Sequence, residues 1–334
     1  MNIQDEELVS IIIPVFNRET LVKKTIISCL KQTYRNFEII CVDDHSTDRS
    51  IDVIKEIALE DPRIQILRNT RTKGVSGARN CGIEKSKGNF IAFIDSDDQY
   101  EPHHLESIMN EFQEHPQVDW IYADFCRVKG SSLVVESVFK SNSVLDNLTT
   151  YKEGNLHIID KKSQLLEHIK FEKAPGLHTS IVRRYIFRTL CFDESLQMFE
   201  DWKLRYDAIL AGYALAFINR INHKYFIHDN NLCSSSDNKD YIKKLRQIDE
   251  IVKLHKSIHS TDYSDKGIHQ ALKKHISRFI FWECGYNIYK MGKPLLGIRK
   301  MFLGLSYDPA STELIRGLIS VIFTIAKSSF KDRF

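Results

Sequence analysis

The first 94 residues alternate between short, continuous apolar runs and segments whose apolar side chains recur at helical spacing. The apolar runs cover residues 9–15, 37–42, 64–67 and 90–94, and the helical segments cover residues 21–30, 50–59 and 77–85. Continuous runs rich in β-branched residues are typical of strands buried on both faces. The alternation therefore predicts an α/β fold with a mostly parallel sheet and helices on both faces.

The composition is that of an ordinary folded protein. The chain has 334 residues, of which 43% are hydrophobic and 27% are charged. These values exclude a disordered, collagen-like or multi-span membrane chain. A chain of this length predicts roughly two domains.

The net charge of +3 is unevenly distributed along the chain. Residues 240–334 contain 17 Lys and Arg against 9 Asp and Glu, whereas residues 1–239 contain 30 against 35. No nucleic-acid motif accompanies the basic segment, so we expect no nucleic-acid partner. The acidic front and the basic tail are therefore expected to have separate roles.

The seven cysteines are widely spaced and include no C-x-x-C pair. This pattern favours reduced, buried cysteines over a disulfide framework or a zinc site. The acidic first residues do not resemble a secretory signal peptide. The longest apolar segment, residues 317–326, is shorter than the ~18 residues that a spanning helix requires. These features predict a cytoplasmic protein.

Polar side chains follow three of the four predicted strands, at the point where each strand ends. These residues are Asn17 and Arg18, then Asp43 and Asp44, and finally Asp95, Ser96, Asp97 and Asp98. Ligands of parallel α/β sheets bind at the carboxyl ends of strands. Ser46 or Thr47 is expected to cap the helix that follows the second strand. Capping leaves the two acids before them unexplained.

Three carboxylates in four residues repel one another unless a cation, a hydrogen-bond donor or water compensates their charge. Asp95 and Asp97 are separated by two positions, so they can point the same way, while Asp98 turns away or caps the next helix. Oxygen ligands favour Mg²⁺ or Mn²⁺. The alternative interpretation is a solvent-exposed helix cap.

Five segments in this order resemble the family 2 inverting glycosyltransferases of the GT-A fold, of the kind that build bacterial glycans and polysaccharides. They read VSIIIPVFN at 9–17, VDDHSTD at 42–48, ARNCGI at 78–83, FIDSDD at 93–98 and FEDW at 199–202. The resemblance covers residues 8–235 and implies a Rossmann-like GT-A domain. His45 stands where the family usually has Gly, and His tolerates a left-handed backbone better than most residues.

The resemblance implies a donor site for a UDP-sugar. Asp44 resembles the carboxylate that binds the N–H edge of uracil, and Arg79 resembles a group that steadies the diphosphate or the loop over it. Asp95 is expected on the ribose or the sugar, and Asp97 on a Mn²⁺ or Mg²⁺ ion that bridges the phosphates. The full set of donor residues is Pro14, Phe16, Asn17, Asp44, Arg79, Asp95, Ser96 and Asp97.

The resemblance also implies the catalytic and acceptor residues. Asp201 resembles the catalytic base, and Glu200 is expected to contact the acceptor or orient Asp201. The alternative is that both acids only complement a helix dipole. His228 resembles a metal or diphosphate ligand, although a lone His is more often a surface or core residue. His178 and Trp202 are candidate acceptor contacts.

The chain is predicted to contain a catalytic domain at 1–235 and a basic helical region at 236–334. The catalytic domain would divide into a nucleotide-sugar half at 1–125 and an acceptor half at 126–235. Residues 313–327 have a wide apolar face. This face indicates either a helix that packs on the catalytic domain or on a second subunit, or a helix that anchors the protein on an anionic membrane. A homo-oligomer is therefore one possible assembly.

These features predict a metal-dependent inverting glycosyltransferase. It would move a sugar from a UDP-sugar to a hydroxyl of a glycan or lipid-linked acceptor, in the cytoplasm or at the inner face of the cytoplasmic membrane. Two alternatives are a nucleotidyltransferase that makes sugar nucleotides and an inactive scaffold subunit. The first normally has a glycine-rich loop after strand one, and residues 16–20 have no glycine.

Overall fold

A computed structural model describes residues 7–141, 150–159, 176–228, 240–259 and 266–331. The chain forms two compact units, residues 1–231 and residues 232–334. The predicted domain boundary at residue 235 lies outside the described residues. The predicted division of the first domain at residue 125 stays a prediction.

The first unit contains a mixed sheet whose strands include all four that the sequence predicts. The strands are β1 (Val9–Val15), β2 (Phe37–Asp43), β3 (Ile64–Arg68), β4 (Phe90–Phe93), β5 (Gln99–Tyr100), β6 (Trp120–Lys129), β7 (Ser132–Val135), β8 (Thr150–Glu153), β9 (Leu156–Ile159), β10 (Ser180–Arg183) and β11 (Leu215–Phe226). Their order is β3-β2-β1-β4-β10-β6-β11-β9-β8, with β5 on β11 and β7 on β6.

Strands β3, β2, β1 and β4 are parallel to one another, and β6 is parallel to β11. Strand β10 joins these two groups through antiparallel pairing with β4 and with β6. The predicted mostly parallel α/β sheet is therefore confirmed. The sheet also continues into the half of the domain that the sequence assigned to the acceptor, so strands of both halves belong to one sheet.

The helices of the first unit lie on both faces of the sheet. They are α1 (Val22–Leu30), α2 (Ser50–Ala58), α3 (Val75–Lys85), α4 (His104–Glu114), α5 (Val138–Ser141) and α6 (Glu200–Leu210). Ile11 and Ile13 share a core with residues of α1, α2 and α4. Ile12 points to the opposite face, where it meets Gly82 of α3. Successive side chains of β1 thus pack against helices on opposite faces of the sheet.

The second unit is helical among its described residues. It contains α7 (Tyr241–His259), α8 (Lys266–Arg278), a π-helical segment (Phe279–Tyr286), α9 (Asn287–Lys290), α10 (Pro294–Tyr307) and α11 (Thr312–Lys331). Leu314, Leu318 and Val321 of α11 are buried with Phe281 and Met301. None of the helices within the described ranges is long and apolar enough to cross a membrane.

The apolar face predicted near residues 313–327 is divided between two environments. One part packs into the core of the second unit, whereas Ile319, Ile322 and Phe323 remain exposed. The cysteines within the described ranges are free, and all of them are buried except Cys191. Cys233 lies outside those ranges.

Candidate active site

The ends of β1 and β2 are joined by hydrogen bonds between their loops. Asn17 donates its backbone N–H to Ser46 Oγ at 3.1 Å, and its side-chain oxygen accepts the N–H of Thr47 at 2.8 Å. Asn17 and His45 both have a left-handed backbone, with φ of 51° and 66°. Asn and His tolerate this region better than most residues. The expectation for His45 is therefore confirmed.

Asp44 connects the end of β2 to the loop before α3. Its carboxylate accepts the side-chain amide of Asn69 at 2.7 Å and the N–H of Gly74 at 2.9 Å. The neighbouring Asp43 accepts the N–H of Ser46 at 2.9 Å. Each carboxylate has about four acceptor positions. Asp44 therefore fixes the loop and keeps acceptor capacity for one further N–H group.

The loop before α3 borders an exposed aromatic ring. Phe16, at the end of β1, is 42% exposed, and Lys73 Nζ lies 4.9 Å from its ring centroid. A Cβ atom on Gly77 would lie 1.9 Å from the carbonyl oxygen of Thr72. The loop can therefore approach α3 this closely only because residue 77 is glycine. Pro14 lies within the buried β1 and pairs with Val42.

Asp97 lies at the end of β4 beside two basic side chains. Its Oδ2 accepts a hydrogen bond from Arg18 Nε at 3.0 Å and lies 3.1 Å from His228 Nε2. Burial and the neighbouring Asp95 raise the pKa of the Asp97 carboxyl, and Arg18 and His228 oppose this shift. Ser96 between the two acids is buried. The predicted pair of Asp97 and His228 is thus in contact.

Asp98 turns into the interior of the protein. Its Oδ1 accepts the N–H of Phe226 at 2.9 Å, and its Oδ2 lies 3.2 Å from His223 Nε2, with both side chains fully buried. Burial raises the pKa of Asp98 well above its usual value and lowers that of His223 well below its usual value. Asp98 therefore ties the β4 loop to the end of β11, two residues before His228.

Arg79 joins the β4 loop to the start of α6. Its guanidinium donates to Asp95 Oδ1 at 2.9 Å and to Glu200 Oε1 at 2.6 Å, and Arg79 itself is buried. Burial raises the pKa of Glu200 to about 7, and the repulsion from Asp201 adds to the shift while Arg79 opposes it. Arg79 thus holds two acids that are distant in sequence within one cluster.

Asp201 lies in the first turn of α6, beside the Arg79 cluster. Its Oδ1 accepts the N–H of Trp202 at 2.9 Å, and it is only partly exposed. Phe199, immediately before the helix, has a left-handed φ of 65°, and its ring lies 4.9 Å from that of Trp202. The turn at Phe199 sets the direction of the first turn of α6, which carries Glu200 and Asp201.

His178 lies in an aromatic and histidine cluster behind the β4 loop. Its ring centroid is 4.9 Å from that of Phe125, 4.5 Å from that of His223 and 5.6 Å from that of Tyr225. Burial lowers the pKa of His178 to about 4. The acceptor role of His178 stays a prediction, and its described contacts are with the protein interior.

Among the described residues at the strand ends, Asp97 and His228 are two side chains that could hold a divalent ion. They offer a carboxylate oxygen and an imidazole nitrogen 3.1 Å apart, with Asp95 two residues away. Oxygen and imidazole donors suit Mn²⁺ and leave positions for phosphate oxygens. The residues therefore fit such an ion. Asp98, His178 and His223 also offer ligand atoms within 4.8 Å of one another, but in the interior.

Two contacts within the site are additional to those predicted from the sequence. Arg18 contacts Asp97, and Asn69 contacts Asp44. A signal for Asn69 was present, because it follows the third predicted strand as the other polar residues follow theirs. Arg18 adjoins Asn17, but the sequence does not say which of the acids its side chain contacts.

Comparisons with known proteins identify the family of the chain. The family described as "Glycosyl transferase family 2" matches residues 10–170. An uncharacterized glycosyltransferase of Haemophilus influenzae is 36% identical over 171 residues, which are 51% of this chain and 67% of that protein. The Escherichia coli protein WfaP, named as a UDP-Glc:alpha-D-GlcNAc-diphosphoundecaprenol beta-1,3-glucosyltransferase, is 41% identical over 135 residues, which are 40% of this chain and 52% of that protein.

Solved structures show the same fold at low sequence identity. Staphylococcus aureus TarS 1-349 in complex with UDP-GlcNAc gives a TM-score of 0.62 at 19% identity, over 90% of this chain and 81% of that one. The mannosyltransferase PcManGT of Pyrobaculum calidifontis, in complex with GDP-Man and Mn²⁺, gives 0.57 at 14% identity, over 95% and 80%. These likenesses confirm the GT-A-like architecture. The chain belongs to glycosyltransferase family 2 and is a transferase of the glycosyltransferase class.

Proposed function

We propose that the protein transfers a sugar from a UDP-sugar to a hydroxyl of a glycan or lipid-linked acceptor, with inversion at the anomeric carbon. The observation that carries this proposal is the double contact of Arg79 with Asp95 and Glu200. Arg79 and Glu200 are 121 positions apart in the chain. Their contact brings the first turn of α6 beside the strand ends where a nucleotide would bind.

The proposed uridine preference rests on Asp44 and on the donor for which a relative is named. Asp44 is buried and retains acceptor capacity, and uracil offers an N–H group that cytosine lacks. The Escherichia coli relative is named for a UDP-glucose donor and a diphosphoundecaprenol-linked acceptor. The exposed Phe16 ring provides an apolar surface beside this position.

Asp97 and His228 would hold the Mn²⁺ or Mg²⁺ ion in this proposal. When bound, such an ion acts as a Lewis acid that stabilises the negative charge on the departing diphosphate. A bare cluster of acids would repel a diphosphate, so the strand-end acids require cationic partners. Arg18 and Arg79 are the cationic side chains that contact the acids at the end of β4.

Asp201 acts as the general base. It accepts the proton of the acceptor hydroxyl while that oxygen forms a bond with the anomeric carbon. The bond between the anomeric carbon and the UDP oxygen breaks in the same step, and UDP leaves from the opposite face. Glu200 is held by Arg79 and positions the first turn of α6, and Trp202 lies next to the base for contact with the acceptor.

The catalytic role is tested with Asp201→Asn. We expect transfer to fall about 10²- to 10⁴-fold, measured as UDP release, while UDP affinity measured by calorimetry stays near the wild-type value. Glu56→Gln is the control, because Glu56 is an exposed acid within α2. Wild-type turnover in Asp201→Asn would contradict the proposed base.

The second unit is proposed to contact the inner face of an anionic membrane. Ile319, Ile322 and Phe323 are 47%, 45% and 63% exposed on α11, and residues 240–334 carry an excess of basic residues. Apolar side chains combined with basic residues favour the surface of anionic lipid. A lipid-linked acceptor would be found at the same surface.

Flotation with vesicles tests this contact. We expect wild-type protein to float with vesicles of phosphatidylglycerol, and Phe323→Ser to float several-fold less. Leu59→Ser is the control, because Leu59 is 89% exposed in the first unit. Equal flotation of the wild type and Phe323→Ser would contradict the proposal, and a dimer by light scattering that Phe323→Ser dissociates would assign the face to a second subunit.

A further inference from the structure

Arg18 contacts the carboxylate that is proposed to bind the metal. Its Nε donates to Asp97 Oδ2 at 3.0 Å, and His228 Nε2 lies 3.1 Å from the same oxygen atom. One carboxylate oxygen thus serves both basic side chains. A cation that coordinates Asp97 through this oxygen must therefore replace or share the contact with Arg18.

Hydrogen bonds hold both the backbone and the guanidinium of Arg18, and its side chain remains partly exposed. The N–H of Arg18 donates to Ser50 Oγ at 2.7 Å at the start of α2. The guanidinium Nη1 donates to the carbonyl oxygens of Asn17 at 3.1 Å and Phe16 at 3.4 Å. The Arg18 side chain is 20% exposed and that of Asp97 is 10% exposed. The contact between the two side chains is therefore partly accessible to solvent and to a dissolved ligand.

Charge makes Arg18 and a divalent cation competitors for Asp97. A guanidinium is permanently charged, and like charges a few ångström apart repel strongly in a partly buried site. A diphosphate relieves this conflict, because its oxygens match the planar donors of an arginine side chain. The same diphosphate supplies further oxygen ligands to the cation.

We propose that Arg18 couples metal binding to donor binding. Arg18 competes with the divalent cation for Asp97, and the diphosphate of the donor draws the guanidinium away and so strengthens cation binding. This inference rests on the proposed donor site. By thermodynamic linkage, the cation then strengthens nucleotide binding by the same factor.

The test is a titration of the full chain with MnCl₂ by calorimetry, without and with saturating UDP. In Arg18→Gln, we expect the Mn²⁺ affinity without UDP to rise by at least about fivefold, and the UDP-dependent gain in affinity to shrink by a similar factor. Arg18→Lys retains the positive charge, so its Mn²⁺ affinity without UDP should stay near the wild-type value.

Two controls separate this inference from the proposed function. Arg35→Gln removes an exposed arginine at the opposite end of β2 and should change neither affinity. Asp97→Asn should remove the Mn²⁺ binding. Mn²⁺ binding that survives Asp97→Asn overturns the metal assignment and the coupling together. A second outcome is that Mn²⁺ binding depends on Asp97 but Arg18→Gln leaves the Mn²⁺ affinity unchanged or lowers it, and UDP still strengthens Mn²⁺ binding. This outcome overturns the role of Arg18 alone.

Discussion

The carboxylates at the end of β2 and those at the end of β4 are held by different kinds of hydrogen-bond donor. At the end of β2, Asp44 accepts hydrogen bonds from two uncharged N–H donors. At the end of β4, Asp95 and Asp97 each contact an arginine guanidinium. The two ends lie on either side of the end of β1, because β1 pairs with both β2 and β4.

The difference separates a fixed part of the site from an exchangeable part. Backbone and side-chain amides hold Asp44 in a geometry that a ligand can use without displacing them. Charged partners can be exchanged for other charges, since a cation or a phosphate competes for the same contacts. We therefore expect substitutions at the end of β4 to change the balance of charge in the site. Substitutions at the end of β2 should change the position of the loop before α3.

The largest effect is expected from Arg79→Ala at the charged end. Removing the guanidinium leaves the buried Glu200 without its cationic partner and releases Asp95. Breaking a buried ion pair from one side costs about 4 kcal/mol of unfolding free energy. Urea denaturation measures this loss, and UDP release measures the accompanying loss of transfer.

The matched control for Arg79→Ala is Arg278→Ala in the second unit. Arg278 pairs with Glu313, and both side chains are about half exposed. An exposed pair contributes less than about 1 kcal/mol. Equal losses in the two variants would mean that burial of the Arg79 cluster does not determine its contribution.

The pH dependence of stability is expected to change in Glu200→Gln. The folded pKa of Glu200 is raised to about 7 from the ordinary 4.5, so the folded state binds this proton more tightly than the unfolded state. The contribution of Glu200 to the unfolding free energy therefore falls as the pH rises from 4.5 to 7, by roughly 3 kcal/mol. Glutamine removes this dependence.

The measurement is the difference in unfolding free energy between Glu200→Gln and the wild type at pH 4.5 and at pH 7.5. The variant should gain roughly 3 kcal/mol relative to the wild type between the two values. Titrating groups that do not interact with Glu200 contribute equally in both proteins, so their contributions cancel in the difference. A difference that is the same at both pH values would refute the raised pKa.

A smaller effect is expected from Asp44→Asn at the uncharged end. The asparagine oxygen can still accept a hydrogen bond from the side-chain amide of Asn69, but the asparagine NH₂ group then faces the N–H of Gly74. Leaving this contact unpaired costs about 2 kcal/mol, and UDP affinity should fall about tenfold, equivalent to 1.4 kcal/mol. Calorimetry with UDP and with CDP also measures the loss of uridine preference.

Asp43→Asn is the control for Asp44→Asn. Asp43 accepts the N–H of Ser46 through one oxygen, which asparagine retains. UDP affinity and stability should therefore remain near the wild-type values. If Asp43→Asn and Asp44→Asn weaken UDP binding equally, the loop held by Asp44 has no particular part in nucleotide binding.

The β1 to β4 region could be predicted from the sequence because its signals are local. The runs around Ile12 and Ile40 are apolar on both faces, and only a strand covered by two helical layers buries both. The β6 and β11 strands were less readable. Strand β11 pairs with β5, β6 and β9, and its register shifts near Ile221, so its pattern reflects several neighbours.

The sequence by itself determined strands β1 to β4, the acidic strand ends and the family, since each depends on residue types at short and regular spacing. The tertiary structure decided the partners of the acids: Asp97 with Arg18 and His228, and Glu200 with Arg79. These contacts join residues between 79 and 131 positions apart. Such pairs are set by sheet order and by the packing of α3 and α6, and no local pattern in the chain encodes them.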